Sequence, residues 1–104
     1  MEAAIRAIAE RRRRAILRLI RRRELSAGQI ASHFDVTRPA ISQHLGVLKR
    51  AGLVTERRAG TRRLYRARPE GLHGLRDYLE GVWSAGLVQL KRAAETEQRR
   101  RSKR

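Results

Sequence analysis

The sequence predicts a mainly α-helical fold with one small β-hairpin, in the order α-α-α-α-β-β-α, within 104 residues. Three observations carry that expectation. Residues 25–50 hold two short capped helices around a tight turn, residues 53–67 read as strand, turn and strand, and two long stretches of helical apolar spacing flank them. Together these describe a winged helix-turn-helix, with 1–95 as a single domain and 96–104 as a basic tail.

The amino-terminal stretch, Met1 to about Arg23, places Ile5, Ile8, Ile16, Leu19 and Ile20 at helical spacing, with Arg6, Arg11 to Arg14, Arg18 and Arg21 to Arg23 elsewhere around the axis. No residue in it must break a helix. In Leu25 to Phe34, Ser26 followed by Gln29 has the capping-box spacing, and Ile30, Ala31 and Phe34 form the buried stripe. Asp35-Val36 supplies the turn. The next helix spans 37–50, with Thr37 as N-cap, Pro39 in the first turn and Ala51-Gly52 as a stop. Ile41, Leu45 and Leu48 share its inward face, and Arg38, Ser42, Gln43 and Lys49 lie outward.

Leu53 to Arg58 and Arg62 to Ala67 are rich in strand formers, and Ala59-Gly60-Thr61 is turn chemistry. Leu53, Leu64 and Tyr65 are placed to face the helices. Arg57, Arg58, Arg62, Arg63 and Arg66 crowd a hairpin too short to neutralise them, so they call for an external anion.

The last helix starts at Pro69-Glu70 and repeats Leu72, Leu75, Leu79, Val82, Gly86 and Leu90 at spacings of mostly three and four, a seam for another helix. Gly71, Gly74, Gly81 and Gly86 each cost a helix interior about 1 kcal/mol relative to alanine, which points to a close backbone approach or a local loosening. Ile5, Ile8, Leu75, Leu79, Val82, Trp83 and Leu90 are the expected dimer interface. Residues 98–104 have no apolar side chain, and the expectation for 96–104 is disorder.

Lysine and arginine number 26 against 10 acidic residues, a formal net charge of +16, and the calculated pI is about 11.9. Like charges repel one another in a compact fold, so an imbalance of this size implies a polyanionic partner, here double-stranded DNA. With no cysteine there is no disulfide, redox thiol or thiolate metal site. No apolar run has the length of a membrane span and the amino terminus lacks a signal-peptide core, from which a cytoplasmic location is expected. There are no paired carboxylates in a plausible pocket and no glycine-rich phosphate loop, so neither enzymatic activity nor a cofactor is expected.

For the helix at 37–50 in the major groove, Gln43 and Arg38 are the first choices for base edges, through adenine and guanine respectively. Thr37 and Ser42 suit phosphate, Ala40 a thymine methyl, and His44 either phosphate or a structural contact. Lys49 and the hairpin residues Arg57, Arg58, Arg62, Arg63 and Tyr65 complete the expected DNA-binding set, with the hairpin on the backbone. The alternative is a protein that coats DNA without sequence preference, through charge alone.

The stretch 14–20 (Arg-Ala-Ile-Leu-Arg-Leu-Ile), the core 38–48 (Arg-Pro-Ala-Ile-Ser-Gln-His-Leu-Gly-Val-Leu) and Ala51-Gly52-Leu53-Val54 resemble the ArsR/SmtB family of bacterial winged-helix repressors, over roughly residues 3–92. The resemblance implies a homodimer whose first and last helices build the interface, and repression at an inverted-repeat operator, often in the regulator's own promoter. Four departures stand out. Many members sense metals through cysteines where this chain has Leu25, Ser26, Ala27 and Gly28. Others bind zinc on the terminal helices, but His73, Asp77 and Glu80 do not match that paired pattern, so no metal is expected. The last helix, with Tyr78 and Trp83, is closer to the metal-independent branch. Those two aromatics suit an interface core or a pocket for a small apolar effector of unknown identity. Glu10-Arg11-Arg12 replaces the usual aspartate-proline break, which leaves the first two helices free to be continuous, and Arg68 replaces the usual capping aspartate before the last helix.

Overall fold

The computed structural model describes residues 1–102. The chain runs α1 (Glu2–Ile8), α2 (Arg11–Ile20), β1 (Leu25–Ser26), α3 (Ala27–Ala31), α4 (Arg38–Arg50), β2 (Val54–Ala59), β3 (Arg62–Ala67) and α5 (Pro69–Ser102). The mainly α architecture with a hairpin is as expected from sequence.

The first two helices are separate. Ala4 and Ala7 of α1 are buried, as are Ile16, Leu17 and Ile20 of α2. At about 100° per residue an unbroken helix would set these two groups on opposite sides, so burying both requires a break. Glu10 makes it: its backbone is extended (φ −100°, ψ 127°) and its carboxylate accepts from the Arg12 amide at 3.1 Å, capping α2. The carbonyls stranded at the end of α1 are met by arginines of α2. Arg13 donates from Nε to the Ala7 carbonyl at 2.6 Å and from its guanidinium to that of Arg6 at 3.1 Å, and Arg14 donates to that of Ile8 at 2.7 Å.

β1 is a strand that the sequence pattern does not announce, since two residues carry no period. It pairs antiparallel with β3 (Leu25↔Tyr65, Ser26↔Leu64), giving a three-stranded sheet in the order β1-β3-β2. β2 and β3 pair from Val54↔Ala67 to Ala59↔Arg62 around Gly60-Thr61, and Gly60 supplies the positive φ (+64°) of the tight turn. Helix α3 is shorter than its sequence pattern suggests. It ends at Ala31, and Phe34 still packs on the core from the following turn.

Ile16, Ile20, Ile30, Ile41, Leu45, Leu48 and Leu53 are fully buried at the centre of the core, between the helices and the base of the sheet. Leu75, expected at a dimer interface, lies instead in this core at 5% exposure, and Ile5 and Ile8 are half-buried against it. A helical seam fixes which residues share a face but not which neighbour covers them. Only the first turns of α5 reach the body of the molecule. Beyond them Leu79, Val82, Trp83, Leu87, Val88 and Leu90 are exposed, Trp83 at 69%.

The 34 residues of α5 span about 51 Å at 1.5 Å per residue. The helix includes residues 96–102, a stretch whose composition alone led to the expectation of disorder; Lys103 and Arg104 lie outside the described residues. Glu97 pairs with Arg101 at 3.7 Å and Arg100 at 3.9 Å, and Thr96 Oγ1 donates to the Arg92 carbonyl, local contacts that favour a helix without tertiary packing.

One glycine of α5 meets the expectation of close approach. A Cβ on Gly71 would collide with the Gly52 carbonyl, and Gly52 itself has φ +78° at the end of α4. The same junction holds Arg68, whose amide donates to the Leu53 carbonyl at 2.8 Å and whose guanidinium donates to that of Gly52 at 3.3 Å. Arg68 thus fastens α5 to the end of α4. Gly81 and Gly86 have open space around them.

Candidate nucleic-acid interface

Helix α4 presents the expected outward row. Thr37 is the extended N-cap, with Oγ1 accepting from the Ala40 amide at 3.3 Å, and Pro39 sits in the first turn. Ile41, Leu45 and Leu48 are buried, which leaves Arg38, Ser42, Gln43 and Lys49 exposed and Ala40 half-buried. In front of it, α3 starts with a complete capping box: Ser26 Oγ accepts from the Gln29 amide at 3.2 Å, and the Ser26 amide donates to Gln29 Oε1 at 2.9 Å.

The sheet brings the hairpin up beside α4. Arg38 and Ser42 share the lining of one open groove with Ser26 of β1, the N-cap of α3, and with Arg62, Arg63 and Tyr65 of β3. Five residues expected to bind DNA are therefore drawn together from two elements. Gln43 stands on α4 outside that groove, and Lys49 lies near the other end of the helix. Tyr65 is half-buried, packed on the core while lining the groove. Arg58 stands directly opposite Arg63 across the hairpin, a like-charge pair that an intervening anion would relieve.

The hairpin arginines are better neutralised than the sequence suggests. Arg57 forms a two-pronged pair with Glu24, Nε to Oε2 at 2.8 Å and the guanidinium to Oε1 at 2.7 Å. Glu56 pairs with Lys49 at 3.0 Å and with Arg63 at 3.3 Å. The Glu24 pairing arises because β1 carries the residue before it to the edge of β3, from 33 positions away in sequence. Alternation along the strands then sets Arg57 beside Leu64 and Ser26. Arg57 is thus engaged as a brace between hairpin and body.

His44 is placed inward of the exposed row. Its Nδ1 lies 3.4 Å from Oε2 of Glu10, which also faces Arg13 at 3.8 Å. Of the two roles open to this histidine, the geometry provides the structural one. Burial raises the Glu10 carboxyl, but the amides of Arg12 and Arg13 and the charges of His44 and Arg13 outweigh it and hold the group below the usual carboxylate range.

Glu10, Glu24 and Glu56 are the residues that sequence reasoning missed. Only Glu10 left a trace, as an acidic residue directly before an arginine-rich helix start. Among the described residues no three histidine, cysteine or acidic side chains gather as for a metal ion, and Arg76 lies within 3.7 Å of Asp77 and 3.9 Å of Glu80. Nor is any helix among them long and apolar enough to cross a membrane.

The Glu24 carboxyl is held below its ordinary range chiefly by the hydrogen bond from Arg57. Its contribution to stability is therefore present above that range and lost as the pH falls through the lowered value. Glu24→Gln is expected to lower the melting temperature at neutral pH by a few degrees, with the gap to the parent protein closing in acid; melting curves across pH check this.

A capped outward-facing helix, a short helix before it and a basic hairpin beside it define a winged helix-turn-helix regulator. The family profile of the bacterial regulatory proteins of the arsR family matches residues 10–56, and this chain belongs to the ArsR family of DNA-binding transcriptional regulators. It is 42% identical over 96 residues to the HTH-type transcriptional regulator Rv2034 of Mycobacterium tuberculosis, covering 92% of this chain and 90% of the relative. The transcriptional repressor SdpR of Bacillus subtilis is 40% identical over 60 residues, 58% of this chain and 67% of SdpR. Among solved structures, the homodimeric winged helix-turn-helix DNA-binding domain of Mb0332 from Mycobacterium bovis is 32% identical with a TM-score of 0.66, over 80% of this chain and 77% of that one.

Proposed function

We propose that this chain is a homodimeric transcriptional repressor, acting in the cytoplasm, that reads an inverted repeat with α4 in the major groove and the β2–β3 wing on the backbone. The groove shared by Arg38, Ser42, Arg62, Arg63 and Tyr65 is the observation that carries the reading, because it sets base-reading and phosphate-holding side chains side by side. Arg38 and Gln43 read base edges, Ala40 meets a thymine methyl, and Thr37 and Ser42 bind phosphate. Arg58, Arg62 and Arg63 follow the backbone, with Lys49 at the far end of α4. The exposed apolar residues of α5 pair with those of a second copy, in keeping with the homodimeric relative. Repression is the role named for SdpR, and a dimer seated across a promoter would exclude polymerase.

Footprinting on the chain's own promoter, with random-sequence DNA as competitor at moderate salt, tests the reading. A protected inverted repeat that survives competition supports it; uniform protection that disappears on competition would leave a nonspecific coating protein. Replacing Arg62 and Arg63 together with glutamine is expected to weaken binding to every duplex. With two wings per dimer, the slope of log affinity against log salt should flatten by roughly two to four units, at about 0.9 for each phosphate no longer neutralised. An unchanged slope would remove the wing from the interface.

A further inference from the structure

One carboxylate lies within the basic face formed by α4 and the wing, and the DNA contacts proposed for that face leave it without a role. Glu56, on β2, has a side chain only 17% exposed. Its Oε2 receives Lys49 Nζ of α4 at 3.0 Å, and its Oε1 lies 3.3 Å from the Arg63 guanidinium of β3. Both cations belong to the proposed DNA-contact set and come from different elements, so this side chain ties the end of the recognition helix to the wing. Lys49 and Arg63 are themselves more than half exposed, at 54% and 64%.

We propose that Glu56 is a specificity-determining residue that stands in for a DNA phosphate in the free protein. It holds Lys49 and Arg63 together and opposes their transfer to duplexes that offer phosphates but no matching bases. The inference rests on the proposed DNA-binding function. Ion pairs with exposed partners are individually weak, so a correctly placed phosphate displaces or shares them. The carboxylate itself stays behind and repels the incoming phosphates. Nonspecific binding follows the number of cations set against phosphates, whereas the operator complex is held by base contacts as well. On the operator the base contacts fix the register and seat both cations on phosphates in a geometry that offsets their release from Glu56, whereas on random DNA the register is unfixed, so the internal anion lowers nonspecific affinity by the larger factor.

The test is Glu56→Gln in the full chain, titrated over a range of salt concentrations against a short random-sequence duplex and against a fragment of its own promoter. Expected is roughly a three- to tenfold gain in affinity for the random duplex, a smaller gain for the promoter fragment, and a salt slope steeper by about two to four units as the two cations of each protomer are freed. In a Lys49→Gln background the gain should shrink by about half, because the two sites share one partner. A brace of purely structural kind would leave the slope unmoved. Unchanged or reduced affinity for the random duplex in Glu56→Gln overturns the proposal, as does a gain that persists undiminished in the Lys49→Gln background. Failure of the parent protein to bind either duplex would instead overturn the DNA-binding function.

Discussion

Replacing Trp83 with alanine is expected to convert a stable dimer into a mixture rich in monomer. Trp83 is 69% exposed in the single chain and sits among the exposed residues Leu79, Val82, Leu87 and Leu90 of α5. A ring of this size at the centre of an interface is typically worth about 2 kcal/mol or more on truncation. In a two-fold dimer the substitution acts twice, so a loss of about 4 kcal/mol corresponds to roughly a thousandfold rise in the dissociation constant. Sedimentation across a concentration series measures it directly. The fold of each protomer should survive, because the residue lies outside the core. A dimer of unaltered strength would show that α5 pairs through another face.

The second large effect is expected at Gln43. Its exposed side chain is carried by a helix turn whose other face, Ile41 and Leu45, is buried, so the backbone that presents it is held in a defined position. Gln43→Ala should remove about 1–3 kcal/mol of base discrimination per half-site, and both half-sites lose it at once. Preference for the operator over random DNA then falls by roughly one and a half to four orders of magnitude. Binding to random DNA stays close to that of the parent, since the phosphate contacts are intact. Parallel titrations of both duplexes separate the outcomes, and an equal loss on each would assign Gln43 to packing or phosphate rather than to a base.

The parts of this fold legible in the sequence are those with local causes. Ser26 with Gln29, Thr37 with Pro39, and Gly60 between two strands each act within a few residues, so helix starts and the wing turn could be placed from residue type and spacing alone. The inward row of α4 followed from its period. What stayed hidden depended on the third dimension. The break at Glu10 exists because two alanines and three large apolar residues must reach one core from opposite sides of a would-be rod. β1 exists because β3 offers it a free edge. The Glu24 partner of Arg57 comes from 33 positions away in sequence, and Leu75 looked like an interface residue because a seam does not reveal what lies against it. Of the candidate site, the outward row and the meeting of α4 with the wing were readable. The anions that balance its far end and brace its hairpin were not.

The close contact at Gly71 has a mechanical consequence. With no room for a methyl group between the start of α5 and the Gly52 carbonyl, and with Arg68 fastened across the same point, the end of α4 and the root of α5 cannot slide past one another. In a dimer joined through α5, each recognition helix is thereby a jaw fixed to its own long arm, and the crossing angle of the two arms sets the distance between the jaws. Such a protein works as a caliper. Anything wedged between the arms changes the spacing it fits on DNA without touching a single base-reading residue.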